Sequence, residues 1–208
     1  MTTPQVAHIE FLVEEPSAEA ALRGLVPKIT SGALSYDIRV FQGKLDLLSQ
    51  LPNRLKGYRS WLSRDWRIVV MIDEDREDCT ALKKKLEVAA QQANLLTRSV
   101  SGATSDYEVM NRLLIEELEA WFLGDVAAIV KAYPGVSPHL ASQTRYRDPD
   151  AIKGGTWEAL ERVLQKAGYY STGLPKVEAA RAISEHMDPR HNRSKSFQVF
   201  RDSLLDLI

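Results

Sequence analysis

Apolar residues in the first part of the chain alternate between short continuous runs and stripes with helical spacing. The runs have the length of β-strands and predict strands at 6–13, 36–41, 67–72, 96–100 and 112–115. Between these runs, apolar residues recur every three or four positions, which is the spacing of one helix face. Because strands that alternate with helices join through right-handed crossovers, we expect an α/β fold with a mostly parallel central sheet flanked by helices.

Two details of the first helices are predicted from single residues. Ser17 precedes the first helical stripe, and we expect it to cap that helix with Glu19 in the first turn. Pro52 lies inside the second stripe and lacks an N–H, so it is expected to kink or split the second helix.

Prolines and glycines interrupt the pattern from about residue 134 onward. The apolar stripes beyond this point have helical spacing, but each is too short to bury a core of its own. We therefore predict an α/β domain over residues 1–133 and a helical C-terminal appendage over residues 134–208 that packs on it.

Composition limits the class of protein. The 208 residues carry a formal net charge of -1, which argues against a surface that is basic throughout. A single cysteine, Cys79, cannot form an internal disulfide and is expected to be structural. The first residues lack the basic start and apolar run of a signal peptide, and no apolar stretch is long enough to cross a membrane. We expect a cytoplasmic protein with no membrane partner.

Acidic residues follow two of the predicted strands. Asp73 and Asp75 come directly after the strand at 67–72, and in an extended segment this spacing points both side chains to one side. Glu14 follows the first strand and would lie beside Asp73 if the two strands are neighbours. Carboxylates this close repel one another unless a cation separates them, and oxygen ligands suit Mg²⁺ or Mn²⁺. The alternative is local: Glu14 would stabilise a helix start, and Asp75 or Asp78 would cap the next helix.

A third acidic segment contains Glu117 and Glu119. If the preceding strand continues through them, the two share a face and one could complete a metal site. In the helical alternative Leu118, Trp121 and Phe122 form a core face, and the two glutamates lie in the first turn of the helix. We favour Glu117 as the site residue.

Several segments together resemble a known family. An apolar strand that ends in Glu, a helix with a small and acidic start, and a later strand that ends in Asp-x-Asp resemble the Toprim domain of topoisomerases, bacterial primases and overcoming-lysogenization-defect nucleases. The chain is more closely similar to a family of Toprim-like bacterial proteins, domain of unknown function 4276. The segments that carry this resemblance are LVEEPSAEAAL at 12–22, MIDEDREDC at 71–79, EELEAWFLGD at 116–125, GGTWEAL at 154–160, GLPKVEAARAI at 173–183 and NRSKSFQVF at 192–200.

The resemblance assigns Glu14 to the first acidic position and Asp73 and Asp75 to the paired aspartates. It implies a Toprim-like fold and a site that binds Mg²⁺ or Mn²⁺. The chain departs from the Toprim pattern at Glu15, where glycine is common, and at Ala18, where nucleolytic relatives carry a second acid. Either Glu19 substitutes as a metal ligand or the site has one ligand fewer.

Basic residues in the C-terminal part are candidates for contact with nucleic acid. They are Lys176, Arg190, Arg193 and Lys195. Lysine and arginine bind phosphate oxygens well. The alternative is that these residues are the solvent-exposed charged ends of helices. His8 is expected to pack beside its strand and not to bind metal, because its available partners are hard oxygen ligands.

The resemblance implies a metal-dependent nuclease, with DNA a more natural substrate than RNA. It also implies a role as the nuclease subunit of a bacterial defence system, beside an ABC-type ATPase, and a homodimer is possible. The alternative is a Toprim-like subunit that docks to such a partner without catalysis. A phosphatase of the haloacid dehalogenase kind also uses Asp-x-Asp, but Glu77 stands where that chemistry needs Thr or Val.

Overall fold

The computed structural model describes residues 5–102 and 106–208, and within them the strands form one parallel sheet. The strands are β1 (His8–Val13), β2 (Ser35–Val40), β3 (Trp66–Asp73) and β4 (Val109–Leu114), in the order β2-β1-β3-β4. In this register Val13 lies beside Met71, and Asp73 lies beside Leu114. The predicted α/β fold with a parallel sheet is confirmed.

Helices cover both faces of the sheet. They are α1 (Pro16–Thr30), α2 (Lys44–Arg59), α3 (Cys79–Gln92), α4 (Arg98–Ser101), α5 (Glu119–Leu123), α6 (Val126–Ala132), α7 (Thr156–Lys166), α8 (Lys176–His186) and α9 (Lys195–Leu205), with 3-10 turns at Leu140–Ser142, Thr144–Tyr146 and Pro149–Ala151. Alternate strand residues point to opposite faces. Leu12, Val70 and Ile72 therefore pack against α2 and α3, whereas Phe11 and Met71 pack against α1 and the C-terminal helices.

The predicted strand at 96–100 is wrong. Only Thr97 forms an isolated bridge to Val109, and the chain then turns into α4. The N–H groups of Val100 and Ser101 donate to the Thr97 carbonyl, which closes a helical turn. Val100 is largely exposed, so the end of this run has no core contact to hold it on the sheet. Part of the predicted polar loop, residues 103–105, lies outside the described residues.

Two predictions for the first helices are corrected. Helix α1 begins at Pro16, where the missing N–H costs nothing, and Glu15 stands at the cap position. Ser17 is therefore inside the helix and buried, so it cannot be the cap. Helix α2 runs unbroken past Pro52 and is therefore not split, whereas the kink stays a prediction.

The C-terminal helices share a core with α1 and with one face of the sheet. The Trp121 ring stacks on Phe200 with centroids 4.8 Å apart, and Phe200 lies 6.4 Å from the Phe11 ring in β1. Helix α8 packs closely along α1. The segment beyond residue 134 therefore contributes to the main core, and its helices pack against α1 and the sheet. Within the described residues, no helix combines the length and apolar character needed to span a bilayer.

Candidate active site

Two acids from neighbouring strands meet at the carboxyl edge of the sheet. Glu14 follows β1 directly, and Asp73 is the last residue of β3. A Glu14 carboxylate oxygen accepts a hydrogen bond from the Asp73 backbone N–H at 3.2 Å. The Asp73 side chain is buried, with 7% of the residue exposed. The expectation that these two acids lie close together therefore agrees with the geometry.

Burial makes the charged forms of both acids costly. The pKa of Asp73 is raised well above its usual value, first by burial and then by the negative charges of Glu119 and Glu14. The pKa of Glu14 is also raised by burial, although the hydrogen bond from the Asp73 N–H opposes the shift. The two acids therefore oppose each other's ionisation.

A third acid, Glu119, belongs to the same group. Glu119 is the first residue of α5, is 1% exposed, and has an Oε2 atom that finds no hydrogen-bond partner among the described residues. Burial raises the pKa of Glu119 to about 7, and the positive charge of Lys176 opposes that shift. We call Glu14, Asp73 and Glu119 the acidic cluster.

Glu117, which we favoured over Glu119, has a different environment. A Glu117 carboxylate oxygen accepts hydrogen bonds from the Thr156 hydroxyl at 2.9 Å and from the Trp157 N–H at 2.8 Å. Glu117 therefore caps the start of α7, and β4 ends before it reaches either acid. The helical alternative could have identified Glu119, because a helix that starts there places it on one face with Phe122 and Leu123. Its signal is an acid on a face that is otherwise buried.

Asp75 does not follow Asp73 in an extended segment, although its charge is near enough to raise the pKa of Asp73 and Glu14. The strand ends at Asp73, and Asp75 has a φ of 52°, so the alternation of an extended chain does not reach it. Its carboxylate pairs with Lys44 Nζ at 2.8 Å. Lys44 also lies 3.1 Å from a Glu77 oxygen, and its pKa is raised because these bonds outweigh the opposing effect of burial. Asp78 caps α3 by accepting from two backbone N–H groups, as the local alternative expected.

Lys176 brings a positive charge from the C-terminal part to this edge. Its Nζ lies 3.3 Å from a Glu15 carboxylate oxygen and 5.6 Å from the centroid of the Trp157 ring. Burial would lower the pKa of Lys176, but the charges of Glu119 and Glu15 raise it. The structure thus places Lys176 beside the acidic cluster, whereas Lys44 lies on the side of Asp75.

The other predicted site residues have partners elsewhere. Glu19 forms an ion pair with Arg23 one turn further along α1, at 2.6 Å. Three basic residues of the tail are exposed: Arg190, which pairs with Asp188 at 2.9 Å, Arg193, whose guanidinium donates to the Tyr146 and Arg147 carbonyls, and Lys195, the first residue of α9. These contacts are local to the tail, so they give no sign of a basic surface centred on the acidic cluster.

One set of side chains has the convergence that a metal ion requires. His8, Glu10 and Asp37 each offer a ligand atom, and these atoms lie within 4.8 Å of one another, so the trio could hold a metal ion. No other trio of such residues in 5–102 and 106–208 converges in this way. His8 does pack beside its strand, against Trp66 at 4.0 Å between ring centroids. The expectation that it cannot be a ligand overlooked that nitrogen and oxygen ligands often combine around borderline metal ions.

Comparisons with known proteins identify a family and no activity. A search of curated proteins gave no match, and neither did a search of solved structures. A family model for a domain of unknown function, DUF4276, matches residues 13–205. This match spans both the sheet and the C-terminal helices, and the chain therefore belongs to the DUF4276 family.

Proposed function

We propose that the protein is a metal-dependent nuclease that cleaves phosphodiester bonds at the carboxyl edge of its sheet. The observation that carries this proposal is the acidic cluster, in which Asp73 and Glu119 are buried and Glu14 is partly buried, and in which no positive charge matches theirs. Such an arrangement is costly in a protein without a function for it, because buried like charges oppose one another's ionisation.

Burial and an unpaired oxygen support a divalent ion at the acidic cluster, although its three carboxylates would have to draw closer together than they lie here to share one. Glu119 has a buried oxygen without a hydrogen-bond partner among the described residues, and Asp73 is held in the same buried region. Glu14, Asp73 and Glu119 would hold Mg²⁺ or Mn²⁺ through oxygen atoms, which both ions prefer. Asp75 would join them if its ion pair with Lys44 opened. When bound, such an ion polarises a phosphoryl oxygen and promotes ionisation of water.

Lys176 and Lys44 would bind phosphate groups of the substrate. Lys176 lies beside the cluster and can donate to a phosphate oxygen without leaving its helix. Lys44 is held by Asp75 and Glu77, and a phosphate placed at this edge would compete with them for its charge. Lysines on two sides of buried carboxylates would position a phosphodiester against the acids, which is the arrangement that phosphoryl chemistry requires.

The substrate and partner are proposed from the resemblance to Toprim proteins. We propose DNA in preference to RNA, and a place as the nuclease subunit of a bacterial defence system with an ABC-type ATPase as partner. Arg190, Arg193 and Lys195 are exposed and would contact the nucleic-acid backbone further from the cleavage point.

A second function has one observation in its favour. The ion pair between Asp75 and Lys44 already neutralises one of the predicted ligands without a metal ion. A subunit that docks to a partner and does not cleave would keep such a pair. This alternative predicts that partner binding survives the loss of Asp73.

The test is cleavage of single- and double-stranded DNA and of RNA with Mg²⁺ or Mn²⁺, using the wild type, Asp73→Asn and Glu19→Gln. Glu19→Gln makes the same acid-to-amide change on an exposed ion pair of α1 and is the matched control. We expect Asp73→Asn to reduce the rate by at least about a hundredfold, since loss of a residue that merely supports a metal ligand costs about 10–100-fold. Equal cleavage by Asp73→Asn and the wild type would contradict the proposal.

A further inference from the structure

We propose that His8, Glu10 and Asp37 form a second metal site, selective for a borderline ion of the Zn²⁺ type, at the opposite end of β1 from the acidic cluster. His8 and Glu10 are two residues apart in β1, so their side chains leave the same face of the sheet. Asp37 in β2 is the register partner of Glu10. Strand geometry alone therefore brings the three side chains together.

One hydrogen-bond arrangement around His8 leaves Nε2 free. Ser35 Oγ donates to the Ala7 carbonyl at 3.0 Å, and this uses its single proton. With the Ser35 proton on that carbonyl, the 2.8 Å contact between Ser35 Oγ and His8 Nδ1 is donated by an N–H on Nδ1. In a neutral imidazole, Nε2 is consequently left with a lone pair, the form that binds metal.

That lone pair faces two carboxylates. His8 Nε2 lies 3.5 Å from Glu10 Oε1 and 4.0 Å from Asp37 Oδ2. His8 is 8% exposed, and Nε2 has no hydrogen-bond partner among the described residues. Three electron-rich atoms directed at one another repel unless a metal ion lies between them or the imidazole is protonated. Ligands around a tetrahedral Zn²⁺ are about 3.4 Å apart for bonds of about 2.1 Å, which the pair of His8 and Glu10 already matches.

The other oxygen of Glu10 is held by supporting groups. Glu10 Oε2 accepts from the Tyr58 hydroxyl at 2.9 Å and lies 3.6 Å from Arg39 Nε. These contacts leave Oε1 toward His8 and orient it, as outer-shell hydrogen bonds do for metal ligands. Arg39 compensates part of the charge of Glu10, but it contacts the oxygen that faces away from Nε2.

The ligand set defines the class of ion. One imidazole with two carboxylates suits Zn²⁺ and similar transition metals, whereas an all-oxygen set suits Mg²⁺. The Asp37 side chain is 59% exposed, so an ion can enter from solvent at the β2 edge and water can complete its shell. This site shares no residue with the acidic cluster and does not depend on the proposed nuclease activity.

The experiment is calorimetric titration of the folded, metal-free protein with Zn²⁺. The variants are His8→Gln and Asp37→Asn, and Asp202→Asn, the same change at a comparably exposed aspartate of α9, is the control. We expect tight binding of Zn²⁺, weakened at least about tenfold in His8→Gln and in Asp37→Asn and unchanged in Asp202→Asn. Asp37 is on an edge strand and mostly exposed, so this variant should fold as the wild type does; circular dichroism checks this.

The ¹⁵N chemical shift of His8 Nε2 gives a second readout that does not depend on affinity. Zinc binding should move this resonance to the range of a metal-bound imidazole and leave Nδ1 protonated. Zinc affinity that is equal in the wild type, His8→Gln and Asp37→Asn would place the ion at other residues and overturn the proposal. So would a His8 ring that stays doubly protonated and ion-paired at neutral pH in the presence of Zn²⁺.

Discussion

At the residue scale, burial raises the pKa of single acids at the carboxyl edge of the sheet. Glu119 and Asp73 are buried without a matching number of positive charges, and burial is the first cause of the raised pKa of each. A carboxylic acid that ionises more easily in the unfolded chain than in the folded one makes folding less favourable as pH rises. The acidic cluster should therefore reduce stability at neutral pH in the absence of metal.

The variant Glu119→Gln tests this linkage. The folded pKa of Glu119 is about 7, against an ordinary value of 4.5. Below pH 4.5 the group is protonated in both states; between 4.5 and 7 only the unfolded state loses the proton, so the wild type loses stability as pH rises. The free energy of unfolding of Glu119→Gln should thus rise relative to the wild type across this window, by up to roughly 3 kcal/mol at about 1.4 kcal/mol per pKa unit. Urea unfolding in EDTA at several pH values measures it, and a difference that is constant with pH would contradict it.

Sequence patterns identified part of the acidic cluster. Glu14 and Asp73 follow apolar strands directly, so the rule that parallel strands end at one edge was sufficient to place them together. Asp75 lies beyond the end of the strand with positive φ, and the rule of alternation no longer applied there. Glu119 was missed in favour of Glu117 because the choice depended on whether the chain was extended or helical at that point, and local sequence fits both.

Close packing of α1 against α8 is the main feature at the element scale. A Cβ atom added at Gly24 would lie 2.5 Å from Ser184 Oγ and 3.3 Å from the Ser184 carbonyl carbon. Gly24 thus allows α8 to approach α1, and α8 begins at Lys176, the residue that reaches the acidic cluster. The small residue in α1 therefore supports the position of a lysine at the site.

The variant Gly24→Ala should be destabilised by about 1–3 kcal/mol, as expected for overpacking between well-packed elements. Gly57→Ala is the matched control, because Gly57 is also helical and an added Cβ would meet nothing within 4 Å. That control should be stabilised by about 0.5–1 kcal/mol, the helix preference of alanine over glycine. Chemical denaturation measures both variants, and equal stabilisation of the two would show that α1 and α8 are not in close contact at Gly24.

Element types followed from the sequence wherever apolar periodicity coincided with burial. Strands β1 and β3 were predicted within two residues of their observed ends, because their runs are buried throughout. The run at 96–100 had a strand-like composition but did not become a strand, since its pairing with β4 stops at Leu96 and Thr97 and Val100 stays in solvent. Sequence composition describes what a segment can bury and does not show whether a partner is available.

At the scale of the whole molecule, side chains from distant parts of the chain meet at the carboxyl edge of the sheet. Glu14 comes from the first strand, Asp73 from the third, Glu119 from the short helix after the sheet, and Lys176 from the C-terminal part. The last of these could not be placed from sequence, because its position depends on how α8 packs on α1. A site assembled in this way requires the intact chain, so variants should be tested in the full-length protein.

The most direct test of the central claim is calorimetric titration of the full-length protein with Mg²⁺ and Mn²⁺. The wild type, Asp73→Asn and the control Glu19→Gln should be compared under identical conditions. We predict that the wild type and Glu19→Gln bind Mn²⁺ with equal affinity and that Asp73→Asn binds it at least about tenfold more weakly. Equal binding by Asp73→Asn and the wild type would show that the acidic cluster does not hold the metal.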